Sequence, residues 1–238
     1  MMTPSDYDAA SIPELMELLR SDNPPERGDA ACALGDRLRS LEVRELDPPV
    51  LDALARLLED DAPIVQFEAA VALAEAHDHR ATELLLLASK HREFRLDAVR
   101  ALGTLGNPAA IAPLLHLMGR WLMPWADKLQ AAAALCALGD DQGATYLGDK
   151  LSSRRRAERA AAIHFVGESH HPRALEILSG ILADPRDPMR DVAARSLGFI
   201  AAPAAKAALQ AARTGASADL CEDIDLALQR IDRESERA

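Results

Sequence analysis

Seven histidines and three cysteines are the residues of this 238-residue chain best suited to metal or nucleophilic chemistry. His77-Asp78-His79 sets two imidazoles around a carboxylate, and His170-His171-Pro172 repeats the histidine doublet further along. A metal needs three or four converging ligands, and each of these is only a local pair. Both segments read as solvated polar turns. His164 interrupts an Ala-rich helix and reads as a partly buried, satisfied histidine. Cys32, Cys136 and Cys221 are far apart, odd in number and in no CxxC pair, which suits reduced thiols and offers no zinc site. Cys32 and Cys136 fall in Ala-rich helices, where buried, inert thiols are expected. No G-x-S-x-G, glycine-rich phosphate loop or H-E-x-x-H occurs. The expectation is therefore no catalytic residue, no metal and no cofactor.

The elements that would position any site are written in the composition. Hydrophobic residues make up 49 % of the chain but aromatic ones only 3 %, so the core must be built mainly from Ala and Leu. These are strong helix formers, and no stretch alternates with period two for long enough to argue for a strand. The formal net charge is −11, a field that repels nucleic acid and anionic membrane. That charge is uneven: residues 1–119 carry a net −10 and residues 120–238 a net −1. The acidic half could steer a basic partner, or simply keep exposed helices soluble. Apolar runs such as Leu84 to Ala88 are too short to span a bilayer. With a polar, acidic start and no apolar leader, the chain reads as soluble and cytoplasmic. The excess of Arg over Lys hints at a bacterial source.

One pattern recurs seven times. Leu34, Leu73, Leu102, Leu135, Ile163, Leu197 and Leu228 anchor it, at spacings of 39, 29, 33, 28, 34 and 31 residues. Seven positions before each anchor stand Arg27, Gln66, Arg95, Lys128, Arg156, Arg190 and Cys221. Each unit reads as two helices, the first with apolar residues at three- and four-residue spacing, the second rich in Ala. Prolines such as Pro24, Pro48, Pro63, Pro108, Pro124 and Pro203 mark the joints. Gly106, Gly139 and Gly167, each four past an anchor, are placed to end the second helix in a left-handed cap. A two-helix unit cannot bury its apolar faces alone, so neighbours must stack.

Prolines at the joints, a basic residue opening the second helix and the A-x-x-A-L-G-x-L-G ending resemble HEAT repeats, and most of all the short HEAT-like repeats of the phycobilisome-lyase type. The resemblance implies an all-α, right-handed α-solenoid of about seven HEAT-like helix pairs. It would occupy residues 11–232 as a single domain, between a flexible N-terminus of residues 1–10 and a polar tail of residues 233–238. It also implies a polar ladder between adjacent repeats, carried by Arg27, Arg95, Arg156 and Arg190 and joined by Asp60 and Asp184. Deoxyhypusine hydroxylases resemble this architecture and use repeated His-Glu pairs, but no histidine here is followed by Glu. The related DNA glycosylases need a basic, aromatic-lined cleft, which this composition does not favour.

Two places stand out for binding. The fourth unit joins its helices through G-R-W-L-M-P-W-A-D, which puts both tryptophans, Trp121 and Trp125, around Met123 and Pro124. Trp is enriched at interface hot spots, although these two could equally plug the gap between helices. The second place is the column two past each anchor, Asp36, Glu75, Thr104, Ala137, Phe165, Phe199 and Arg230, which runs from acidic to aromatic. Lys150, Arg154, Arg155, Arg156 and Arg159 form the one dense basic cluster, read as a solvated loop. The reading that follows is a non-enzymatic adaptor or scaffold for a protein partner, with self-association an open alternative. A bilin-lyase-like or other protein-modification or chromophore-handling factor is the rival, and a weak nucleic-acid binder comes third.

Overall fold

Ala- and Leu-rich segments broken by proline form helices throughout, and the computed structural model describes residues 4–40, 43–169, 171–200 and 202–237. Among them every regular element is helical, and no helix is long and apolar enough to cross a membrane. The chain divides into two compact units, residues 1–113 and 114–238.

In the first unit a short helix α1 (Pro4–Ala9) precedes three helix pairs. These are α2 (Ile12–Leu18) with α3 (Pro24–Arg39), α4 (Pro48–Arg56) with α5 (Pro63–Glu75), and α6 (Thr82–Ala88) with α7 (Arg95–Leu105). The second helices α3, α5 and α7 pack side by side. Pro24, Pro48 and Pro63 each open a helix, where the missing N–H is no loss. Ser11 caps α2, accepting from the Glu14 N–H while Glu14 accepts from the Ser11 N–H at 2.7 Å. Helix α1 packs against α3. Tyr7 is buried and the Arg37 guanidinium donates to the carbonyls of Tyr7 and Ala10.

Helix α8 (Ile111–Gly119) crosses the division, and α9 (Trp125–Ala137) opens the second unit's run of pairs. They are α10 (Asp141–Lys150) with α11 (Arg156–Glu168), α12 (Ala174–Ala183) with α13 (Arg190–Leu197), and α14 (Pro203–Arg213) with α15 (Ala218–Arg237). Pro113 lies in the first turn of α8, after a 3-10 turn over Pro108–Ala110, so it marks a helix start rather than a kink. The second helices α9, α11, α13 and α15 again pack in sequence. Helix α15 runs on to Arg237.

Backbone contact between second helices sets the repeat register. A Cβ added to Gly35 would meet the Ala72 backbone at 3.1 Å, and one on Gly198 would meet Ala227 at 3.1 Å. Each pair joins the residue after one anchor to the residue before the next. Gly167 faces Ser196 in the same way, its added Cβ 2.5 Å from the Ser196 carbonyl oxygen. The fifth anchor is therefore Val166, three residues beyond Ile163. Leu135, Val166, Leu197 and Leu228 then fall at an even spacing of 31. Gly167 is not a left-handed cap: it lies inside α11, where only a hydrogen fits between helices.

The position four past three of the anchors is left-handed. His77, Gly106 and Gly139 stand there with φ of 55°, 73° and 79°. After the first and third of these, the next N–H returns to the anchor carbonyl, Asp78 to Leu73 at 2.8 Å and Asp140 to Leu135 at 2.9 Å. The residue five past the anchor accepts from the N–H two further on: Asp78 from Arg80, Asn107 from Ala109, Asp140 from Gln142 and His171 from Arg173. His171 fits only if the anchor is Val166. His170, its neighbour in the sequence motif, lies outside the described residues.

Candidate functional site

The joint between α8 and α9 starts from a hydrogen-bonded turn. The Met123 N–H donates to the Arg120 carbonyl at 3.2 Å, which puts Trp121 and Leu122 at the turn's two corners. Corner side chains point away from the chain reversal, and here away from the core. Trp121 is 85 % exposed and Leu122 76 %. Met123 turns inward and is buried, while Trp125, the first residue of α9, keeps 38 % exposure. The thioether thus fills the joint, and Trp121, Leu122 and Trp125 are left as an apolar ledge. Leu122 carried no signal in the sequence beyond its place in the loop, because only the turn decides which residue faces out.

The adjacent joint is basic. Arg154, Arg155 and Arg156 are exposed around the first residue of α11. Their neighbour Glu158 is buried, accepting from Ser153 Oγ at 2.6 Å and pairing with Lys150 at 3.1 Å. Those contacts hold the Glu158 carboxyl below its usual range, the Ser153 hydrogen bond most of all.

Polar side chains at the joints bond within and between adjacent repeats. Arg27 reaches Asp60 through Nε and Nη2 at 2.7 and 2.8 Å, and donates to the Ser21 carbonyl. Gln66, which breaks the basic pattern, makes the equivalent bond to the Asp60 carbonyl at 2.6 Å. Arg95 bonds the Ser89 carbonyl and Arg190 the Leu182 carbonyl. In the fifth repeat the ladder donor is Arg159, with Asp187 at 2.9 and 2.5 Å and the Leu151 carbonyl at 2.8 Å. Arg156 is at the surface instead, and Asp184 accepts from the Arg186 N–H. Both displacements follow from the three-residue register shift.

The same shift moves Phe165 out of the column two past each anchor and puts Glu168 there. Phe165 stands one before the anchor, at the seam between second helices, and is half-buried. Phe199 remains in the column, with His164 edge-on at 5.3 Å and the Arg230 guanidinium stacked 4.0 Å from its centroid. In the first unit Glu75 is held by Arg39 at 3.0 Å and Arg100 at 2.6 Å, and Asp36 by Arg39 at 2.7 Å. Those charges are already compensated within the fold.

The remaining chemical candidates have structural work. Asp78 caps the 3-10 turn His79–Ala81 and holds Arg80, which also reaches Asp52. His164 pairs with Glu168 at 3.2 Å. Cys136 is buried as expected, but Cys32 is exposed. Desolvation of its sulfur, followed by the Glu68 and Asp36 carboxylates, pushes the Cys32 thiol up to about 12, so it is a poor nucleophile at neutral pH.

Comparison with known proteins agrees with the repeat geometry. The family model of HEAT repeats matches residues 122–198, and that of the PBS lyase HEAT-like repeat matches residues 94–119. No curated protein sequence matches significantly. Among solved structures, the chain is similar to the CpcE–CpcF complex of phycocyanin lyase from Nostoc sp. PCC7120, at 20 % identity and TM-score 0.55, covering 93 % of this chain and 95 % of that one. It also matches human deoxyhypusine hydroxylase at 22 % identity and TM-score 0.42, over 97 % of this chain and 88 % of that one. A HEAT-like repeats protein from the archaeon Thermococcus onnurineus NA1 matches at 17 % identity and TM-score 0.35, over 94 % and 98 %. At these identities the likeness is one of fold.

Proposed function

From the premise that the chain carries HEAT repeats, we propose that it acts as a non-enzymatic adaptor that binds another protein through the ledge of Trp121, Leu122 and Trp125. The observation that carries this reading is the exposure of Trp121 and Leu122 at the corners of a hydrogen-bonded turn whose inward place is taken by Met123. Large apolar side chains exposed together to water favour an interface, since Trp buries much area with little loss of rotamer freedom. Phe165, Phe199, Asp36 and Glu75 are given to seams, stacking and ion pairs within the repeats, so the ledge takes precedence over them.

The test is affinity capture from the native organism with mass spectrometry, comparing wild type with Trp121→Ala/Trp125→Ala. Circular dichroism must first show that the variant keeps its helical content. A partner held by wild type and lost by the folded variant supports the adaptor reading, with a weakening of at least about 30-fold expected for two hot-spot aromatics. Equal capture by both overturns it.

A further inference from the structure

The second unit has an apolar joint before α9 and a basic one before α11. Helix α10 packs against both α9 and α11, and α9 packs against α11. Consecutive second helices run the same way, so their first residues, Trp125 and Arg156, lie at the same edge of the stack. Side-by-side helices sit about 8–10 Å apart, which places the arginines within one side chain's reach of the ledge.

The arginines are not where stability would put them. The N-terminus of a helix carries a partial positive charge and favours acids, yet α11 opens with Arg154, Arg155 and Arg156 around its N-cap. The ladder does not need them, because Arg159 supplies the ion pair to Asp187. The acids of the same two helix starts, Asp127 and Glu158, are buried. Arg120, exposed beside Trp121, adds a further positive charge.

Resting on the ledge as a binding site, we infer that its partner is an acidic peptide segment in which large apolar side chains are flanked by Asp or Glu. The apolar residues cover Trp121, Leu122 and Trp125, and the carboxylates meet Arg154, Arg155 and Arg156 in two-pronged hydrogen bonds. An anionic bilayer or a nucleic acid is a poorer fit. Such an extended surface feels the net −11 of the chain, whereas a short segment feels the local patch within about one Debye length, roughly 8 Å.

The test is selection of random peptides displayed on phage against the full chain, with Trp121→Ala/Trp125→Ala as the counter-selection. An enriched peptide is then made in soluble form and titrated by tryptophan emission, which reports on this ledge alone because the chain has only two tryptophans. The expected result is an acidic, apolar pool, a blue shift on binding, and a loss of about tenfold or more in affinity for Arg154→Glu/Arg155→Glu with unchanged circular dichroism. Neutral or basic peptides that still depend on the tryptophans leave the ledge standing and overturn the acidic partner. Acidic peptides insensitive to both variants overturn both readings for this site. No enrichment overturns the inference, as does a blue shift produced only by phosphatidylglycerol vesicles, with phosphatidylcholine as control, or only by a poly-dT oligonucleotide.

Discussion

Arg159 grips Asp187 through both ends of its guanidinium, at 2.9 and 2.5 Å, and so fastens α11 to the joint that begins α13. Both side chains are mostly shielded from water, and the same Asp187 accepts from the Met189 N–H at 2.9 Å. One carboxylate therefore shapes its own loop and receives the neighbouring repeat. Asp60 does the same in the first unit, accepting from the Ala62 N–H and from Arg27.

Removing Arg159 strands that carboxylate. Arg159→Ala is expected to lower unfolding free energy by about 1.5–3 kcal/mol, the range for hydrogen bonds to charged groups. Arg156→Ala, at the surface, is expected to stay within about 0.5 kcal/mol of wild type. Urea denaturation of the two variants checks the assignment, and the opposite order would return the ladder to Arg156. The Arg159 hydrogen bonds hold the Asp187 carboxyl below its ordinary value. The stability it supplies is present above the unfolded carboxyl value, near 3.9, and is lost as pH falls through the folded one.

The seam between second helices predicts opposite results for two glycine substitutions. Gly167→Ala drives a methyl into the Ser196 backbone and is expected to cost about 1–3 kcal/mol. Gly180→Ala in α12 meets open space and is expected to stabilise by up to about 1 kcal/mol through helix propensity. Thermal unfolding reads both, and a destabilising Gly180→Ala with a neutral Gly167→Ala would refute the packing described.

The left-handed position four past the anchor gives another pair. Gly139→Ala imposes a Cβ at φ 79° and is expected to cost about 1–2 kcal/mol. His77 already bears that strain at φ 55°, so His77→Gly is expected to be neutral or stabilising by up to about 1 kcal/mol despite glycine's entropy. A loss of stability in His77→Gly would mean that the imidazole makes a contact worth more than the strain.

His171 makes the fold acid-sensitive. Its Nε2–H donates to the Ala144 carbonyl at 3.3 Å and its Nδ1 accepts from the Arg173 N–H at 3.1 Å. Protonation would set two donors face to face. Burial is the main cause that lowers its pKa in the fold, against the opposing Ala144 bond. The unfolded chain then binds the proton first, so stability is intact above about pH 6.5 and falls as pH drops below it. His171→Asn, which keeps an acceptor for Arg173, is expected to flatten that fall in denaturant midpoints measured between about pH 7 and about pH 5.

The sequence by itself determined the class of fold. Alanine and leucine at helical spacing and prolines at the joints leave few alternatives to stacked helix pairs, and these signals are local, so they survive without coordinates. It also singled out the joint with both tryptophans. Tertiary structure decided the rest. Ile163 and Val166 are both fully buried, because residues three apart share a helix face, so a slip of three leaves the apolar pattern nearly unchanged. The approach of Gly167 to the next helix and the His171 turn separate the two registers, and with them Arg156 from Arg159 and Asp184 from Asp187. Likewise Trp121, Leu122 and Met123 are similar in apolarity, and a single hydrogen bond from Met123 to Arg120 sorts them into ledge and plug. Local composition chooses the element, but which side of it meets a neighbour depends on contacts between residues far apart in the chain.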